Sequence, residues 1–282
     1  MLRAARLGIC LALVCACPCL SAEPAATDRK SLELGKYVLK AGPLEIGGAR
    51  KNASGVTYNP DTKTLFVVTN KPKQIFEIGL DGKHLRTIDL SGFSDTEGIA
   101  YLGEGTFAVA EEKRRCLCVF KIDADTKSVD HGKTARACVD PEPGGNSGTE
   151  GVAYDPAGRV FYAAKEKSPR KIYRLSRQSL KKGRPEVTNP WDAEKDDLKL
   201  KDISDLCWHA PTGNLLVLSH ESACLVECTP EGKEVSRLSL AAGSAGLRKA
   251  VPQAEGITVD TEGTIYVCSE PRQLYIFTRK AP

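Results

Sequence analysis

The chain has 282 residues, 40 of them basic and 36 acidic, for a formal net charge of +4. The two signs are interspersed and no run of Lys or Arg interleaves with aromatics, which argues against nucleic-acid binding. After residue 22 no segment is apolar enough over a bilayer's thickness to form a membrane-spanning helix.

Residues 1–22 differ from everything that follows. Arg3 and Arg6 precede an apolar run from Leu7 to Leu20, and the small residues Ser21 and Ala22 come next, the pattern of a secretory signal peptide cut after Ala22. The expectation is export to the periplasm or the medium. Val14-Cys15-Ala16-Cys17 approximates the site at which bacterial lipoproteins are cut and acylated, so a lipid anchor through Cys17 is the alternative. Residues 23–32 are polar and carry Ala and Pro, as a flexible tether would. Tyr37-Val38-Leu39-Lys40 and Leu44-Glu45-Ile46 then look like short strand pieces, split by Gly42-Pro43.

From there one stretch recurs. Thr96-Glu97-Gly98-Ile99-Ala100-Tyr101, Thr149-Glu150-Gly151-Val152-Ala153-Tyr154 and Ala254-Glu255-Gly256-Ile257-Thr258-Val259 are clear copies, with weaker ones at Ala53-Ser54-Gly55-Val56-Thr57-Tyr58 and Ile203-Ser204-Asp205-Leu206-Cys207-Trp208. Spacings of roughly 43 to 55 residues suit one propeller blade per copy. Each copy opens a strand, which is followed by a Pro, Asp or Gly turn and then a β-branched or aromatic run such as Leu65-Phe66-Val67-Val68 or Leu215-Leu216-Val217-Leu218. Such runs are apolar on both faces, as expected of strands sandwiched between neighbouring blades.

Residues 33–282 therefore read as a single all-β domain, a five-bladed β-propeller, with six blades as the alternative. Outer strands are visible after units one, two and four. The fifth unit ends directly after its third strand, so the pieces around Tyr37 to Ile46 are expected to dock there and close the ring. Lys181 to Lys201, with Pro185 and Pro190, reads as a surface excursion of blade three, and Gly144-Gly145-Asn146-Ser147-Gly148, which precedes a strand, reads as a loop and not a phosphate cradle.

Seven of the eleven cysteines lie beyond the leader: Cys116, Cys118, Cys138, Cys207, Cys224, Cys228 and Cys268. Cys118 with Cys138 is the favoured disulfide, because the two fall on consecutive strands of one blade. Cys116 and Cys118 lack a second Cys/His pair that would complete a zinc set, while Cys207 and Cys268 read as buried hydrophobes.

Carboxylates form two columns. Glu97, Glu150, Asp205 and Glu255 open the first strand of their units, and Glu112, Glu166, Glu221 and Glu270 follow the second strand fifteen or sixteen residues later. A hairpin brings both columns to one mouth of the channel. Crowded carboxylates acquire raised pKa values or a cation, and oxygen donors without His or Cys select Ca²⁺, with Mg²⁺ the second choice. Lys165, Lys167 and Arg272 stand beside the second column and could neutralise it instead. His220, between Ser219 and Glu221, invites a catalytic reading, but adjacent strand residues point to opposite faces and cannot form a triad. His84, His131 and His209 occupy turn-like or strand-end positions and are expected to be exposed.

Asp95-Thr96-Glu97-Gly98, Thr149-Glu150-Gly151-Val152-Ala153-Tyr154, Lys165-Glu166-Lys167-Ser168-Pro169, Leu218-Ser219-His220-Glu221-Ser222, Pro252-Gln253-Ala254-Glu255-Gly256-Ile257 and Ser269-Glu270-Pro271 together resemble the SdiA-regulated domain family of exported bacterial proteins, related to NHL-repeat propellers. The resemblance runs from about Tyr37 to Thr278. It implies a five-bladed propeller with calcium in the channel region and no established activity, and a fold kinship with propellers that include metal-dependent lactonases and phosphatases. The leading expectation is a monomeric, exported, calcium-binding module for a small-molecule or cell-surface ligand. The alternative is a calcium-dependent hydrolase of an ester, lactone or phosphoester, with Glu166, His220 or Glu221 as catalytic candidates.

Overall fold

The computed structural model describes residues 30–139, 148–181, 187–188 and 198–280. The leader, most of the tether, the 144–147 loop and most of the 181–201 excursion lie outside them. The strands form five separate sheets, antiparallel except for one parallel pairing in blade one, arranged as a five-bladed β-propeller. Inner strands are Ala53–Asn59, Thr96–Gly103, Thr149–Asp155, Asp205–His209 and Ala254–Val259.

The second strands are buried along their whole length in blades one, two, four and five, as their unbroken apolar runs require. Buried apolar residues divide into five clusters, each contributed chiefly by two successive blades. Phe66, Val68 and Ile75 of blade one meet Phe107, Val109 and Phe120 of blade two, for example. The core is a ring of wedges with no common centre. The turns after the inner strands repeat one device: Asn59, Asp155 and Asp260 each accept, through Oδ1, the N–H of the residue two further on at 2.9 Å, the side-chain turn that suits Asn and Asp to these positions.

Closure follows the expected plan. Tyr37–Glu45 pairs antiparallel with Gln273–Arg279 as the outer strand of blade five. The preceding residues reach further, onto blade four. The buried Glu227 carboxylate accepts Ser31 Oγ at 2.7 Å and Leu32 N at 3.0 Å, as well as Asn214 Nδ2 and Ser236 Oγ. Ser31 and Leu32, grouped with the tether in sequence, are thus docked. Blade three has a short outer strand, Val187–Thr188, inside the stretch read as an excursion. Blade one gains a fifth strand, Ser128–Asp130, which leaves blade two to pair in parallel with His84–Ser91.

The disulfide differs from the expected one. Cys116 lies opposite Cys138 and is bonded to it, whereas Cys118 faces Arg136. The strands were legible, but the register decides which of two cysteines on one strand face meets the partner. Cys118 stays a buried thiol and donates to Glu111 Oε2 at 3.2 Å. Cys268 is fully buried and Cys207 half-buried.

Candidate metal centre at the acidic mouth

The register of each inner hairpin identifies equivalent positions. Val56, Ile99, Val152, Leu206 and Ile257 pair with Val67, Val109, Ala163, Val217 and Val267. Counting back two residues from the first set gives the inner ring: Ser54, Glu97, Glu150, Ser204 and Glu255. Counting forward three from the second gives the outer ring: Asn70, Glu112, Glu166, His220 and Glu270. Asp205 and Glu221 are each one residue out of their assigned columns. Asp205 stands where the other four blades have glycine, and His220, not Glu221, holds the outer position in blade four.

The glycines explain the offset. A Cβ on Gly55 would lie 2.5 Å from the Glu97 carbonyl oxygen, one on Gly98 2.5 Å from the Glu150 carbonyl oxygen, and one on Gly151 2.6 Å from Asp205 Cα. Inner strands approach so closely only where a side chain is missing. The ladder is also irregular beside Gly55, Gly98, Gly151 and Gly256, but runs without a shift from Asp205 to His209. In blade four the carboxylate itself fills the gap. Asp205, 1% exposed, accepts Val152 N at 3.3 Å through Oδ1 and Ile257 N at 3.0 Å through Oδ2, tying blades three and five together. Burial pushes its pKa well up, against those amide hydrogen bonds.

Among the described residues the acids of the mouth converge in blade two, where carboxylate oxygens of Asp95, Glu97 and Glu112 lie within 4.8 Å of one another. Asn70 of blade one donates Nδ2 to Glu97 Oε1 at 2.6 Å, and its own Oδ1 is buried with no hydrogen-bond partner. Burial pushes the Glu97 carboxyl up to about 8, with the Asp95, Glu112 and Glu255 charges adding to the effect against a hydrogen bond from Ser54. Glu150 is raised strongly, by burial first and then by Glu97, Glu112, Glu166 and Glu255. Glu255 is raised to about 7 by burial and by Glu270, Glu166 and Asp202. Acids from blades two, three and five therefore share one field.

The expected cations act only partly. Lys167 Nζ lies 3.1 Å from Glu166 and 2.6 Å from the exposed Glu221, and Lys113 pairs with Asp95 at 2.6 Å. Arg272 turns away to Glu45, and Lys165 to the Ser168 carbonyl. Among the described residues no Lys or Arg forms an ion pair with Glu97, Glu150 or Glu255. Asp95 escaped the two-column reading, although its counterparts Asn52, Asp202 and Gln253 form a third row of side chains with amide or carboxylate oxygens, four residues before the paired apolar anchor.

A second convergence of ligand types, Glu111, Cys118 and His131, lies at the junction of blades one and two. Glu111 is fully buried and accepts Ser94 N, Arg114 Nη1, Cys118 Sγ and His131 Nε2. Arg136 Nη1, which can only donate, sits 3.1 Å from His131 Nδ1. His131 then carries its proton on Nε2, facing Glu111, so the trio is a hydrogen-bonded brace. His131 is accordingly half-buried, edge-on to Phe93 at 5.3 Å, as His209 is half-buried beside Thr212; of the three histidines expected to be exposed only His84 is.

Solved structures share the architecture. A gluconolactonase from Xanthomonas campestris aligns with a TM-score of 0.53 at 12% identity, covering 88% of this chain and 92% of that one. A luciferin-regenerating enzyme gives 0.52 at 13%, covering 86% and 94%, and a chain of the nidogen/laminin complex gives 0.52 at 15%, covering 78% and 72%. At these identities the likeness is one of fold. The SdiA-regulated family model matches residues 29–278, nearly all of the described chain, and the protein belongs to the SdiA-regulated family.

Proposed function

We propose that this is an exported binding module in which a calcium ion, held at the acidic mouth, organises or recognises a small-molecule or cell-surface ligand. The observation that carries the reading is the donor set of blades one to three. Asp95, Glu97 and Glu112 converge, Glu150 shares their field, and the unpartnered Asn70 Oδ1 adds a neutral oxygen. Hard oxygen donors drawn from several blades, with no thiolate or imidazole in the trio, fit the flexible coordination of calcium better than the strict octahedron of magnesium. Such an ion would supply positive charge beyond the single Lys113–Asp95 pair. The Cys116–Cys138 disulfide is compatible with export.

Calorimetry of EDTA-treated protein tests the reading. Calcium should release or absorb heat on binding and raise the melting temperature by the mass-action amount its affinity sets. Glu97→Gln, Glu150→Gln and Glu255→Gln should each weaken binding, while Glu104→Gln and Glu262→Gln, exposed in turns at the opposite end of their blades, should not. Absence of both heat and thermal shift with folded protein overturns it.

A hydrolase remains the second reading because of His220, whose ring makes no hydrogen bond to a described residue at its place in the outer ring, while its backbone N–H donates to Ser204 Oγ at 3.2 Å. A screen of ester, lactone and phosphoester substrates decides. Turnover abolished by chelation and by His220→Ala or Glu166→Gln would replace the binding module with an enzyme.

A further inference from the structure

Blade one is the only blade that gives the mouth no titratable group in either ring, contributing Ser54 and Asn70. Its approaches are instead basic. The loop before its inner strand carries Arg50 and Lys51, and the turn after its second strand carries Lys71 and Lys73; all are exposed except the half-buried Lys73. The two segments are pinned side by side. Asn70 N donates to Asn52 O at 3.3 Å, Arg272 Nη1 to Ala49 O at 3.3 Å, and Leu90 N to Lys73 O at 3.1 Å. Among the described residues none of these four cations has a carboxylate within ion-pair distance, unlike Lys113, Lys167 and Arg272 on the neighbouring turns. Asn52 and Asn70, between these cations, turn inward to Glu270 at 3.5 Å and Glu97 at 2.6 Å. The four like charges, none in an ion pair with a described residue and three of them exposed, give the outer side of the rim a local positive potential.

From this we infer that the blade-one rim docks an acidic polysaccharide, a chain carrying sulfate, phosphate or uronate groups at regular intervals. Other polyanions fit less well. Ala49 to Asn52 and Asn70 to Lys73 contain no aromatic side chain on which a nucleic-acid base could stack. The only exposed large apolar side chain among the described residues is Leu85, a single leucine near the start of an outer strand, so this rim has no apolar cluster to insert into a bilayer. The inference does not depend on the metal reading, since the four cations stand outside the carboxylate cluster.

Fluorescence anisotropy of labelled dextran sulfate, with neutral dextran as the comparison, tests it on the mature protein in EDTA and again in calcium. Binding should be sulfate-dependent, survive EDTA and weaken steeply with added salt. The quadruple variant Arg50→Glu, Lys51→Glu, Lys71→Glu and Lys73→Glu should lose affinity by about tenfold or more, roughly 1.4 kcal/mol per decade. The milder pair Arg50→Ser and Lys71→Ser serves if the quadruple variant misfolds. The same number of reversals at Lys63, Lys121, Lys127 and Lys233, exposed elsewhere, should change affinity less than twofold. Equal binding by the rim variants and the parent overturns the inference. So does equal binding of neutral dextran, or capture by anionic lipid vesicles without capture by dextran sulfate.

Discussion

Blades two and four each place three carboxylates near the mouth and use them in opposite ways. In blade two Asp95, Glu97 and Glu112 gather within 4.8 Å, held by Asn70 and one lysine. In blade four Asp202 accepts Ser219 Oγ and Glu221 N, Asp205 accepts amides of two other blades, and Glu221 lies on the surface with Lys167. Composition is the same and register is not. Where glycine lets the ladder break, the preceding acid is turned into the mouth. Where the ladder continues, the acid takes the glycine's place and braces the ring. A carboxylate here is a ligand candidate or a structural strut according to a one-residue offset.

The comparison breaks most sharply at Asp205. Asp205→Ala should destabilise the fold by roughly 2–6 kcal/mol, about 1–3 for each buried N–H left without an acceptor, as read by denaturant unfolding, with calcium affinity of the surviving fold little changed. A loss below about 1 kcal/mol would show that the strut is dispensable. Blade two is braced covalently instead, and Cys138→Ser should cost about 3 kcal/mol from a bridge spanning 22 residues; Cys118→Ala should leave the disulfide count by mass spectrometry unchanged.

Acid titration sharpens the same contrast. Glu97 and Glu255 have folded pKa values of about 8 and 7, above their ordinary range. The folded state then binds protons more tightly than the unfolded chain, so stability is fullest below about pH 4.5 for these groups and is lost as pH rises through 7 and 8. The melting temperature of metal-free protein should fall by several degrees between pH 5 and pH 8. Glu97→Gln should flatten part of that slope, and an unchanged slope in the variant would place the titration elsewhere. The smallest effect is expected for Ser204→Glu, which adds an acid to the inner ring in blade four. It should lower metal-free stability by about 1 kcal/mol and tighten calcium binding in calorimetry; weaker binding would exclude that position from the ring.

Much of this was legible in the chain itself. The recurring Glu-Gly stretch with its apolar strands specifies five blades, and the missing last strand specifies the closure, because both depend on hydrophobic period and repeat length. The acids of blades two, three and five could be aligned by their Thr-Glu-Gly or Ala-Glu-Gly context. Blade four could not, since Ser204-Asp205 presents a carboxylate one place late and the eye aligns acid to acid. Anchoring the copies on Val56, Ile99, Val152, Leu206 and Ile257 would have shown the offset, because buried strand residues fix register and mouth residues do not. Cys116 and Cys118 failed for the same reason, and Asp95 because its row mixes Asn, Asp, Gly and Gln.

The seam that closes the ring also sets an order of events for the newborn chain. Lys280 N donates to Lys36 O, Tyr37 Oη to Gly263 O, and Leu32 N to Glu227. Leu32 to Tyr37 therefore have all of these partners about 190 to 250 residues later in the chain. Until Gln273–Arg279 is made, Tyr37–Glu45 has no strand to pair with, and Ser31 and Leu32 have no acceptor until Glu227 is made. Joining ends so distant in sequence is slow, and early blades have to wait, half-sheltered, for the final one. Holding factors in the compartment where synthesis finishes would act on that interval, and a chain interrupted before Gln273 would be recognisable to proteases by its open seam.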